Sequence, residues 1–299
     1  MAEITRRRTG EFLRKLFDIL LQSPDGLPAG EALKQLSAKV TLTDYEQGIY
    51  ESSGTRRFDK IVRFATVDCV KAGWLVKHKG VWSITEEGAK AHATIVDPEA
   101  FYREAVRLYA QWRSAQPAVP DKAAGQSGEE ESADKSASIT FEQAEEQAWG
   151  EIEQFLGAMN PYDFQELVAD LLRAMGYFVS WVAPPGRDGG LDVIAHTDPL
   201  GTSPPRIKVQ VKRQVQRVDR GGLASFIALV NDDEVGIFVC TGGFTRDAEE
   251  FARNQARRRV TLIDREKLVD LWVQFYGKLS DPARQRLPLT PIYFLTPQT

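Results

Sequence analysis

The chain has 299 residues, 42% of them hydrophobic and 27% charged, which is the composition of soluble globular protein with room for two domains. No apolar run approaches membrane-spanning length, and the arginine-bearing N-terminus lacks the apolar core and cleavage site of a signal peptide, so a membrane is excluded and a cytoplasmic location expected. Cys69 and Cys240 lie far apart without metal-type spacing and read as buried free thiols; His78, His92 and His196 form no zinc-ligand pattern.

The net charge of −4 looks wrong for a nucleic-acid binder, but it is unevenly spread. Residues 1–115 carry 18 Lys+Arg and 15 Asp+Glu, residues 116–150 carry 2 and 8, and residues 151–299 carry 18 and 19. The acidity is concentrated in the middle, and whole-chain charge is a poor guide to what one face binds.

Phe12, Leu16, Ile19 and Leu20 fall at helical spacing over 11–22, and Ser23-Pro24-Asp25-Gly26 ends that helix. A second short helix is expected over 30–38. A third spans 55–72, with Phe58, Ile61, Val62, Ala65 and Cys69 on one face and Gly73 in the C-cap position. Short strands at 74–77 and 81–85 flank His78-Lys79-Gly80. Three helices followed by a β-hairpin is the order of a winged helix. A helix over 97–113 closes this first domain.

Ala115–Ser138 is rich in Ala, Ser, Gly, Pro and acidic residues and has almost nothing apolar to bury, so an unstructured linker is expected. It reads as a plain spacer, or as an acidic shield for the basic faces. Thr140 with Gln143 makes a capping box for a helix over 140–158. Asn160-Pro161 precedes a helix over 162–175 with the stripe Phe164, Leu167, Val168, Leu171 and Leu172; Gly176 caps it and a strand follows at 177–182.

The informative stretch is 186–212, GRDGGLDVIAHTDPLGTSPPRIKVQVK. Leu191–Ala195 and Ile207–Val211 read as the strands of a hairpin. Alternation puts Gln210 and Lys212 on one face and Val209 and Val211 on the other. In register, Asp192 converges with Gln210 and Lys212, and oxygen ligands beside an ammonium suit a hard divalent cation and a phosphodiester. Beyond a basic turn-rich segment at 213–222 come a helix (223–230), a buried strand (235–240), a helix capped by Thr245, a strand (260–263) and a helix (266–276). The tail, 287–295, reads as an extra strand or a partner contact.

Gly186-Arg187-Asp188-Gly189-Gly190-Leu191-Asp192-Val193 and Val209-Gln210-Val211-Lys212 resemble the catalytic core of the Mrr-like restriction endonucleases, the QxK branch of the PD-(D/E)xK nucleases. Arg57-Phe58, Lys71–Leu75 and Gly80–Gly88 resemble the domain that precedes this core in the same family. The resemblance implies a winged-helix DNA-binding domain (1–114), an acidic linker (115–139), an α/β restriction-endonuclease-like core with a mixed sheet flanked by helices (140–282) and a tail (283–299). It implies a Mg²⁺- or Mn²⁺-dependent endodeoxyribonuclease of type IV or type II-like character that restricts foreign, modified DNA as a homodimer or larger assembly. The alternative is a DNA-binding or regulatory protein that kept the fold without the activity.

Asp192 and Gln210 would ligate the metal, and Lys212 would stabilise the transition state. The family carries Glu on the opening helix after the Phe; here that position is Gln165, with Glu166 next, about 100° around the helix. Gln165 acting by its amide, Glu166 rotated inward, and a merely solvated Glu166 remain open. Asp188 is an auxiliary ligand or a turn cap, and Arg187 a phosphate contact or a surface arginine. For DNA binding the candidates are Arg56, Arg57, Lys60 and Arg63 on the third helix and Lys77, His78 and Lys79 on the wing, with a plain solvated face as the alternative.

Overall fold

The computed structural model describes residues 4–50, 54–115, 127–186 and 190–294, with the side chains of 127–134 excepted. The chain forms two compact units, Met1–Glu151 with Tyr293–Thr299, and Ile152–Ile292.

The first unit runs α1 (Arg6–Leu21), β1 (Leu27–Pro28), α2 (Ala29–Lys39), α3 (Asp44–Gln47), α4 (Arg57–Lys71), β2 (Leu75–His78), β3 (Val81–Ile84), α5 (Glu86–Thr94) and α6 (Pro98–Ser114), then enters α7 (Ser127–Ala158). The Thr5 hydroxyl caps α1 by accepting from Arg8 N at 3.2 Å. From there Phe12, Leu13, Leu16, Phe17, Ile19 and Leu20 are all buried, and α6 lays Phe101 5.2 Å from the Phe17 ring. The three strands pair antiparallel in the order β1-β3-β2. This is consistent with the expected winged helix, with α4 as its third long helix. The four-residue α3, closed by a capping box between Thr43 and Glu46, is too short to leave a periodic signature.

Residues 127–139 depart from the unstructured linker expected over 115–139. Residues 116–126 lie outside the described residues, but from Ser127 the chain is helical. Apolar content misled here because polar pairing anchors the helix: Lys135 Nζ lies 2.7 Å from the buried Asp68 Oδ1. Thr140 opens no helix; it sits inside α7, and its hydroxyl donates back to Ser136 O at 3.0 Å. The boundary between units accordingly falls within α7, not at residue 139.

The second unit contains α8 (Pro161–Ala174), β4 (Phe178–Val182), β5 (Val193–His196), β6 (Arg206–Lys212), α9 (Arg220–Ile227), β7 (Glu234–Cys240), α10 (Arg246–Arg253), β8 (Arg259–Asp264), α11 (Arg265–Phe275) and α12 (Asp281–Arg286). Its five strands form one mixed sheet in the order β4-β5-β6-β7-β8, antiparallel through β6 and parallel from β6 to β8. Parallel neighbours need crossovers, which α9 and α10 supply. Leu223 and Phe226 of α9 and Ala248 of α10 pack with Phe238 and Cys240 on one face of the sheet. Helices α8 and α11 cover the other. Residues 288–294 form no strand, against the expectation for the tail; Trp272 Nε1 instead donates to Leu287 O at 3.1 Å. No helix among the described residues is long and apolar enough to cross a membrane.

Gly236 of β7 marks a close helix–sheet contact: an added Cβ would lie 2.9 Å from Phe226 Cε1 and 3.0 Å from Val230 Cγ2. Gly236→Ala should therefore cost about 1–3 kcal/mol through overpacking. A lowered urea midpoint is the expected result, and an unchanged midpoint contradicts this packing.

Candidate active site

The site is built on the β5–β6 pair. Val193 faces Val209 and Ala195 faces Ile207 across the ladder, and all four side chains are buried. Strand alternation then sends Gln210 and Lys212 to the opposite face, in register with Phe238 and Cys240 of β7. Lys212 Nζ lies 5.6 Å from the Phe238 ring.

Asp192 stands one residue before β5. Its N–H donates to Val209 O at 2.9 Å, and its carbonyl accepts from Ala183 N at 2.8 Å. Its carboxylate Oδ2 accepts from Val211 N at 2.8 Å. Val211 lies between Gln210 and Lys212, so this hydrogen bond ties the acid to the strand that carries both expected partners. Gly190, two residues earlier, has φ +85°, and a Cβ there would meet Leu229 at 3.2 Å and Gln210 Nε2 at 3.6 Å. Only glycine takes that turn without strain this close to the site. Arg187 and Asp188 lie outside the described residues.

The opening helix brings Gln165, not Glu166, to this place. Gln165 is buried and its Nε2 donates to Ala183 O at 2.7 Å, so Ala183 bridges the amide to Asp192. Glu166 turns toward Arg173, with 3.7 Å between Oε2 and NH1. The nearby Glu234 pairs with Lys208 at 2.6 Å. Burial would raise the Glu234 carboxyl, but hydrogen bonds from Lys208 and the Asn231 amide outweigh it and hold the group below its ordinary value.

Sequence reasoning passed over the brace on the segment after Lys212. Thr241 N donates to Lys212 O at 3.1 Å, and the Thr241 hydroxyl both accepts from Gln214 N and donates to Gln214 O, each at 2.9 Å. At Gly242 a Cβ would stand 2.5 Å from the Gln216 and Val215 carbonyls, so the two segments meet only through glycine. The Thr-Gly-Gly directly after a buried strand was the available signal.

No cluster of three His, Cys, Asp or Glu occurs among the described residues. Among the described residues, the groups expected to serve a cation there are the Asp192 carboxylate and the Gln210 amide. That set does not resemble a zinc or soft-metal site, but it fits a hard cation that keeps several waters and takes substrate phosphate oxygens.

In the first unit the candidate cations divide. Arg56 pairs with Asp59 at 2.8 Å, Arg57 stacks on Tyr45 at 4.7 Å, and Lys60 sits 4.7 Å from the Tyr50 ring. Arg63 and Lys77, expected to face DNA, are instead held by α7. Arg63 is buried against Glu142 at 2.7 Å and Glu146 at 2.6 Å, and Lys77 meets Glu142 at 2.6 Å. Burial pushes the Lys77 ammonium down, against the pull of Glu142. Lys79 Nζ lies 4.5 Å from the Trp149 ring. His78 closes β2 at the wing.

Two family models match: "Restriction endonuclease" over residues 156–272 and "Mrr N-terminal domain" over residues 11–94. Among curated proteins, the type IV methyl-directed restriction enzyme EcoKMrr of Escherichia coli (strain K12) is 25% identical over 281 residues, covering 88% of this chain and 91% of that protein. Among solved structures, the MspJI restriction endonuclease in complex with a 27-mer oligonucleotide is 19% identical, covering 69% of this chain and 47% of that one at a TM-score of 0.36.

Gln165→Ala should lower DNA cleavage about 10- to 100-fold and raise the cation concentration needed, since it loosens the support of the Asp192 segment. Glu166→Gln should leave both near wild type. The reverse order in a divalent-cation titration of the two variants would assign the role to Glu166.

Proposed function

Because the chain belongs to the Mrr-like restriction endonucleases, we propose that it hydrolyses phosphodiester bonds of double-stranded DNA at Asp192, Gln210 and Lys212, with Mg²⁺ or Mn²⁺ as cofactor. The observation that carries this reading is the 2.8 Å bond from Val211 N to Asp192 Oδ2, which fastens the acid to the strand bearing Gln210 and Lys212. Asp192 and the Gln210 carbonyl would hold the cation, which when bound lowers the pKa of a coordinated water and polarises a phosphoryl oxygen. Lys212 offers its ammonium to the charge that grows on the phosphoryl oxygens in the transition state. Gln165 steadies Asp192 through Ala183. Phosphate contacts fall to Arg56, Arg57 and Lys60 at the N-terminal end of α4, to Lys79, and to Arg187.

A second reading keeps the fold and the DNA binding without the chemistry. It is favoured by one observation, the amide of Gln165 where the family places a carboxylate.

Substrate choice follows from what the site can sense. The catalytic groups meet only phosphate and metal, so a base modification must be read elsewhere. A methyl group projects into the major groove, where the third helix of a winged domain lies. One methyl contact is worth about 1–3 kcal/mol, too little for strict discrimination. Two copies on one duplex would multiply the preference and cut both strands, so a homodimer on DNA is part of the proposal. The methyl-directed activity named for EcoKMrr supports a graded preference of this kind.

Asp192→Ala and Lys212→Ala should each reduce cleavage by about 10²-fold or more while leaving DNA binding nearly intact. Full activity in either variant sinks the site. Plasmid from a methylating host should be cut faster than the same plasmid from a non-methylating host, and equal rates over a range of enzyme concentrations would reject modification dependence.

A further inference from the structure

Helix α7 meets three parts of the first unit that a winged helix turns toward DNA: the start of α2, the third helix α4, and the β2–β3 wing. At α2, Glu146 Oε1 accepts from Gly30 N at 2.8 Å, an anion at a helix N-terminus. The same carboxylate takes Arg63 NH2 at 2.6 Å through its other oxygen. Glu142 gathers three donors: Arg63 NH1 at 2.7 Å, Lys77 Nζ at 2.6 Å and Trp82 Nε1 at 2.9 Å. At the wing, a Cβ on Gly80 would lie 2.9 Å from Glu146 Cα, and Lys79 stacks on Trp149.

A guanidinium, an ammonium and a helix-end amide converging on oxyanions is the donor set that recognises a phosphodiester. Arg63 is only 5% exposed, and a buried guanidinium cannot be left without an anion. Glu142 and Glu146 fill that demand now. Phosphates would fill it equally, so the exchange of one anion for another leaves no cation orphaned.

We propose that Arg63, Lys77 and the α2 N-terminus form a phosphodiester-binding surface that α7 masks in the resting chain, Glu142 and Glu146 standing where DNA phosphates bind once α7 lifts. This rests on the reading of the first unit as DNA-binding and adds that its affinity is held down from within. The covered cations are then the high-affinity part of the footprint, and Arg56, Arg57 and Lys60 are the part that makes first contact. A nuclease held this way engages DNA only where binding outcompetes its own acidic helix.

The test uses the full chain in EDTA, where binding to a short duplex is read without cleavage. Glu146→Gln keeps the shape of the side chain and removes its charge, and should tighten binding about tenfold. Gly80→Cys with Glu146→Cys places two Cβ atoms 3.1 Å apart, so the wing must give way from the Glu146 backbone, at a φ of +77° that a side chain strains, for the pair to reach disulfide range. Cys69 and Cys240 are buried and do not compete. The oxidised form should bind DNA less tightly than the reduced form, with reductant restoring affinity. Affinity of Glu146→Gln at or below wild type, or equal affinity of the oxidised and reduced forms, overturns the mask. Lys60→Ala separates this failure from that of the underlying reading. If only the mask is wrong, Lys60→Ala still weakens salt-dependent binding; if the first unit does not read DNA, it changes nothing.

Discussion

The structure of the site depends on side-chain alternation along β6. Ile207 and Val209 are buried on the α8 side of the sheet, which sends Gln210 and Lys212 to the side that α9 and α10 cover. A one-residue slip in the β5–β6 register would exchange the two sets and put an ammonium where Val209 is now buried. The Asp192 carboxylate is held to the same strand by the Val211 amide. Hydrophobic burial on one side of the strand thus fixes which residues it presents on the other.

What surrounds the strand serves to hold it still. Gln165 reaches in from α8 through Ala183, Gly190 turns the chain against Gln210, and Thr241 with Gly242 pins the segment that leaves Lys212. Among the described residues the proposed site is poor in carboxylates, so a cation held there would rely on few protein ligands and on water and phosphate for the rest. Rigid support matters more in such a site, because each ligand must already be in place.

Much of this was legible in sequence, because strands and amphipathic helices announce themselves by period. The hairpin, the QxK ending and the stripe of α8 are patterns of that sort. The linker was misread because α7 is held by ion pairs such as Lys135–Asp68 and Arg63–Glu142, which no hydrophobic period records. For the same reason Arg63 and Lys77 looked like free surface cations: their partners lie 79 and 65 residues away in the chain. Thr140 and Gln143 have the spacing of a capping box, but a helix already in progress overrides it. The choice between Gln165 and Glu166 turned on the helix's rotation about its axis, which packing sets and composition does not.

The proposed cleavage of DNA at Asp192, Gln210 and Lys212 requires a divalent cation. Supercoiled plasmid incubated with the purified full chain tests it directly, in parallel with Mg²⁺, Mn²⁺ or EDTA. Nicked and linear DNA are expected with either metal and intact plasmid with EDTA. Cleavage that persists in EDTA, or plasmid left intact with both metals although the protein binds it, would rule out this chemistry.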